Sequence, residues 1–304
     1  KEIQGFPIQN LSSDPVPYAQ ELADNPYVGS WSSGGSLNTA RSSIGGAGIQ
    51  TAALAFGGDE PGNSNSTEEY DGSSWTAGGN MGTARRLLAG CGTQTAGLAI
   101  GGFITAVTNA VEEYDGSSWT DGGALSTARR NLAAAGIQTA ALAFGGIDTA
   151  ATGATEEYNG SSWTAGGTLG TARGSLAGSG TQTAGLAFGG YTTTQSGATE
   201  EYDGSTWTAG GTMNTARSLL AGCGTQTAAL AFGGTTGSVT GATEDYDGTS
   251  WTEVADLATS RAYLGGAGTN TLALAFAGEV PPVTGATEEW AFTGLPPSTP
   301  AAGY

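Results

Sequence analysis

The chain has 304 residues, 54 of them glycine, and its 27 acidic against 9 basic residues give a formal net charge of −18. That charge repels phosphate backbones and anionic lipid, so nucleic acid is not an expected partner; no apolar stretch approaches the ~20 residues that span a bilayer, so membrane insertion is not expected either. Histidine is absent, which removes the commonest general base and the commonest transition-metal ligand, and neither a cofactor nor a metal site is expected.

Residues 1–27 carry Ile3, Phe6, Ile8, Leu11, Val16, Tyr18 and Leu22 without a helical or strand period, and are broken by Pro7, Pro15, Pro17 and Pro26. They also lack the basic-then-apolar layout of a signal peptide. An extended attachment segment is the expectation. Residues 28–292 are a repeat array, and 293–304 form a second proline-rich extended tail.

The repeat is marked by Trp31, Trp75, Trp119, Trp163, Trp207 and Trp251, evenly spaced 44 residues apart, with Gly-Gly pairs at the same step from Gly57-Gly58 to Gly233-Gly234 and Ala277-Gly278 in the sixth copy. A period of ~40 to 50 with Gly and Trp marks points to propeller blades. Within a unit, residues 51–58 alternate in size as a strand does, "TEEY" (67–70) and "SSWT" (73–76) follow, and Asp71-Gly72 joins them as a hairpin turn. The expected fold is therefore all-β: a six-bladed propeller of four-stranded antiparallel blades.

Near the axis the innermost strands crowd, which explains Gly46, Gly90, Ala134, Gly178, Gly222 and Gly266 at one offset. Cys91 and Cys223 lie three repeats apart, in blades on opposite sides of the ring, too far for a disulfide. Trp31 precedes the first inner strand while no such Trp follows Trp290, so the N-terminal end of the array should supply the outer strand of blade six and close the ring.

Each unit carries one arginine at a fixed offset, Arg41, Arg85, Arg129, Arg173, Arg217 and Arg261, and one first-position glutamate, Glu68, Glu112, Glu156, Glu200, Glu244 and Glu288. A half-buried carboxylate needs a partner, so these read as six structural ion pairs. The rival is a ring of arginines catching an acidic ligand. The amides Gln50, Gln94, Gln138, Gln182, Gln226 and Asn270 sit in the turn after the inner strand and read as turn caps, or as a polar ligand ring. The copies differ most in the loop between the second and third strands, whose opening residues Asp59, Phe103, Ile147, Tyr191, Thr235 and Glu279 are the candidate partner-binding positions.

The hydrophobic run into Gly-Gly, then Tyr, then Trp about five residues on, then "LNTAR" (37–41), resembles the Kelch repeat over residues 31–290, with Gly in place of the proline that commonly follows Tyr-Asp there. The segments "IQNLSSDPVPYAQ" (8–20), "TGATEEYDGTSWT" (240–252) and "QTAALAFGG" (50–58) resemble repeat proteins predicted as virion components of marine bacteriophages, such as tail fibres or other appendages. The resemblance implies a non-enzymatic protein of the virion, joined through its terminal segments to other virion or surface proteins, with a host receptor or glycan met by the variable loops. A bacterial surface adhesin, extracellular or on the cell surface, and a Kelch-type protein-binding adaptor are the alternatives. Sialidase-like propellers use Arg, Glu and Tyr, but here these are spread evenly over six units, whereas active sites converge on a few groups.

Overall fold

The computed structural model describes residues 29–292, which form one compact unit. The expected attachment segment and tail, 1–27 and 293–304, lie outside the described residues. Among the described residues there are twenty-four strands in six four-stranded sheets and no helix. Five blades are contiguous in sequence. The sixth is completed by Ser30–Gly34, which pairs antiparallel with Thr287–Ala291, Trp31 opposite Trp290. The ring thus closes by hydrogen bonds between its two ends, and no blade lacks its outer strand.

The strand roles follow from side-chain size. Second strands such as Ala52–Phe56 are sealed on both faces, with Ala53, Leu54, Ala55 and Phe56 all at 0% exposure. Outer strands such as Trp75–Ala77 bury only their tryptophan. The core lies between blades: Phe56, Leu54 and Ala47 of blade one pack with Leu88, Ala99, Tyr114 and Trp119 of blade two, the Phe56 and Trp119 rings 4.9 Å apart. Inner strands meet at the axis, where a methyl group on Gly90 would lie 2.5 Å from the Gly46 carbonyl oxygen. That contact admits no side chain.

Polar groups lock neighbouring blades as regularly as the apolar ones. The second glutamate of a blade accepts a hydrogen bond from the tyrosine of the next, as Glu69 does from Tyr114 and Glu157 from Tyr202, at 2.5 and 2.6 Å. Burial, and then this bond, push both phenols up to about 12. Tryptophan Nε1 donates to a threonine hydroxyl in a neighbouring unit, as Trp119 does to Thr67. Trp163 turns instead to the Gly123 carbonyl, because Val111 stands where that threonine would be.

The turn amides do something the sequence reading missed. They neither cap their own turn nor ring an open ligand site: Gln94 Nε2 donates to the Ala53 and Tyr70 carbonyls of the preceding blade, at 3.1 and 2.6 Å, and the other four glutamines repeat the pattern. Between blades five and six the pattern changes at several positions together. Trp290 replaces tyrosine and offers no hydroxyl, Asp245 replaces its glutamate acceptor, and Asn270 replaces glutamine. Asn270 Nδ2 then donates to Asp245, and Trp290 Nε1 donates to the Asn270 carbonyl. Gly29 makes room, since a methyl group there would lie 2.1 Å from the Trp290 ring.

Candidate functional site

The six repeat arginines are at 0% exposure. Each bonds the first-position glutamate of its own blade: Arg41–Glu68 at 2.6 Å, Arg129–Glu156 at 2.8 Å and Arg217–Glu244 at 2.7 Å, with Arg85–Glu112, Arg173–Glu200 and Arg261–Glu288 in the same arrangement. The other carboxylate oxygen accepts a backbone N–H from the crossover loop, that of Asn38 for Glu68 and of Gly82 for Glu112. The pair therefore pins the loop that carries the chain from one blade to the next. No arginine of this set reaches the channel mouth, so none is available to an acidic ligand.

The mouth itself is built just after these arginines. Ser43, Leu87, Asn131, Ser175, Leu219 and Tyr263 all have φ between 52° and 57°, a left-handed conformation that costs a non-glycine residue roughly 1–2 kcal/mol. What it achieves is a closed ring. Each backbone N–H donates to the carbonyl of its counterpart one blade back, from Leu87 to Ser43 around to Ser43 to Tyr263, at 2.8 to 3.0 Å. The backbone does this work, so the side chains are free to vary. They surround a shallow cavity of about 110 Å³ on the axis.

Around this ring runs an outer circle. The loop-opening residues Asp59, Phe103, Ile147, Tyr191, Thr235 and Glu279 pair by backbone bridges with Ser42, Arg86, Arg130, Gly174, Ser218 and Ala262 respectively. Side chains also fit the next blade: Asp59 ion-pairs Arg86 at 2.7 Å, Phe103 lies 5.3 Å under the Arg130 guanidinium, and Ile147 fills the space that a side chain on Gly174 would occupy. Of the six, Tyr191 is exposed and the others are half-buried. The variable loops are thus ordered clips against the crossover segments.

No family model and no curated protein matches the chain. What distinguishes the mouth is its side-chain chemistry.

That chemistry is lopsided. Arg86 and Arg130 are the only basic side chains among the described residues outside the buried set, and both face Phe103, at 5.5 and 5.3 Å from its ring centre. Arg86 is neutralised by Asp59. Arg130 has no ion pair with a described residue, and its Nε is buried without a hydrogen-bond partner. Its charge is felt by the Tyr263 hydroxyl on the opposite blade, which burial pushes up, Glu279 pushes up further and Arg130 draws down. In the sequence these two arginines hide beside repeat arginines, as "ARRLL" and "ARRNL". The doubled letter in two units of six was the available signal.

The other end of the axis is lined by small residues, among them Gly46, Cys91, Gly136 and Cys223. Both cysteines are buried free thiols, and burial raises Cys91 to about 12. The hairpin aspartates are occupied by their own turns: Asp71 Oδ1 accepts from Ser73 Oγ and from the Ser74 and Ser73 N–H groups, holding its carboxyl down at about 2. Among the described residues no cluster of three or more His, Cys, Asp or Glu could hold a metal ion.

Proposed function

We propose that this protein is a non-enzymatic binding and display module: a Kelch-like propeller carried on a virion as an appendage or tail-fibre component, presenting the loop-lined mouth to a host receptor or glycan. The observation that carries the binding half is the split between framework and face. Buried groups repeat around the ring with conservative exchanges, whereas the two basic side chains of the mouth, Arg86 and Arg130, and the Phe103 ring they both face fall in blades two and three alone. A framework that tolerates variation at one face is how scaffolds carry recognition loops. The Arg and Glu chemistry that an enzyme would need is consumed six times over in ion pairs that hold the crossover loops. The virion half rests on the resemblance of residues 8–20, 50–58 and 240–252.

The test has two arms. Mass spectrometry of purified virus particles should find the chain in stoichiometric amounts; its presence only in uninfected cell surface fractions would move it to the adhesin reading. On a glycan array, the wild-type propeller should bind a subset that R86S/F103T/R130S loses, since these changes give blades two and three residue types other blades carry at the same offsets. Binding unaffected by that variant would place recognition elsewhere.

A further inference from the structure

Four polar side chains of the inner ring, Ser43, Asn131, Ser175 and Tyr263, make no hydrogen bond to any described residue. They are half-buried around the axial cavity. None of their side-chain polar atoms is buried, so all four are open to solvent and to a ligand at the mouth. Leu87 and Leu219 complete the ring and offer apolar surface at two opposite blades. On one side stands Arg130, held over Phe103 with no acid partner among the described residues. Hydroxyl and amide groups and two apolar side chains therefore line a space of about 110 Å³, the volume of about four waters; Arg130 is not part of that lining but directly precedes the lining residue Asn131, its guanidinium in the outer circle over Phe103.

Accepting the mouth as the binding face, we propose that it is a subsite for a carboxylate-bearing sugar, with Arg130 taking the carboxylate and Asn131, Tyr263 and the two serines meeting ring hydroxyls. A sugar acid has the matching inventory: one compact charge, several hydroxyls and an apolar C–H face. An acidic peptide fits less well. Its main chain would seek backbone partners, and the six N–H groups and six carbonyls of the inner ring already satisfy one another. The net charge of −18 opposes polyanions at long range but acts weakly on a single carboxylate within a Debye length of Arg130. A guanidinium without a competing acid gains most from a carboxylate, so Arg130, not the Asp59-paired Arg86, is the anchor.

The test is an NMR titration of the propeller with D-glucuronate, with D-glucose as the neutral comparator and N-acetyl-glutamate amide as the peptide comparator. Saturable shifts at Arg130, Asn131 and Tyr263 are expected with glucuronate, at least about tenfold weaker with glucose and with Arg130→Gln, as for loss of one charge-assisted hydrogen bond, and intermediate with Arg130→Lys. Unchanged thermal unfolding of both variants shows that the framework is intact. Equal binding of glucose and glucuronate, an unaffected Arg130→Gln, or no saturable glucuronate binding would overturn the proposal. So would tighter binding of the capped glutamate, which would make this a peptide site. Array binding of neutral glycans that R86S/F103T/R130S abolishes would leave the mouth as the recognition face while this carboxylate subsite failed.

Discussion

Replacing Glu244 by glutamine removes one charge from a pair in which both side chains are fully buried. Arg217 Nη1 donates to Glu244 at 2.7 Å and Nη2 to the Ala231 carbonyl at 3.1 Å, while the Asn214 N–H donates to the second carboxylate oxygen at 2.7 Å. Glutamine keeps the shape and an acceptor oxygen but leaves the guanidinium charge uncompensated, a loss of about 3–5 kcal/mol. Arg217→Met should cost a similar amount. The double variant should cost about 5 kcal/mol rather than the sum, because removing both charges removes the mutual penalty and the glutamine oxygen still accepts from Asn214; the coupling is then about 3 kcal/mol. The contrast is Arg86→Ala, which breaks the one-third-exposed Asp59 pair and should cost at most about 1 kcal/mol. Urea unfolding followed by tryptophan fluorescence measures all four, comparing midpoints at constant m-value. A Glu244→Gln loss below about 1 kcal/mol, or strict additivity, would refute the buried-pair reasoning.

Asp245 is partly buried beside Asn270, and burial raises its carboxyl from 3.8 to about 6. The folded state therefore holds this proton more tightly than the unfolded chain, so the site contributes stability below about pH 4 and loses it as pH rises through about 6; Asp245→Asn should gain up to about 3 kcal/mol at pH 8 and little at pH 4. Equal gains at both pH values in thermal unfolding would contradict this. Leu87 sits at φ 57° in the inner ring, so Leu87→Gly should exceed Leu87→Ala in stability by about 1 kcal/mol, and the opposite order of melting temperatures would count against the left-handed ring. Cys91 and Cys223 are buried and unpaired, so a thiol reagent should modify neither in the native protein and both after denaturation; rapid native labelling would be the contrary result.

The blade count, the hairpins and the closing strand were legible because each is written in spacing: the even Trp step, Asp71-Gly72, and a Trp31 with no counterpart after Trp290. Relations between blades were less so. Nothing near Gln94 reveals that its partners are carbonyls of Ala53 and Tyr70, because those are contributed by the preceding unit and carry no side-chain signature. The inner hydrogen-bond ring is invisible for the same reason: Ser43, Leu87 and Asn131 share a conformation and not a chemistry. Asp245, Asn270 and Trp290 look like scattered exchanges until blades five and six are brought together. Arg86 and Arg130 were overlooked because a neighbouring repeat arginine accounted for the motif.

The proposed recognition face is the Arg130–Tyr263 mouth and not the glycine-lined end of the axis. A crystal structure of the propeller soaked with its strongest glycan-array ligand tests this most directly. The ligand should lie over the inner ring of backbone hydrogen bonds, with a polar atom within hydrogen-bond distance of Arg130. Ligand seated instead at the opposite end, beside Gly46 and Gly90, or along the outer strands, would contradict it.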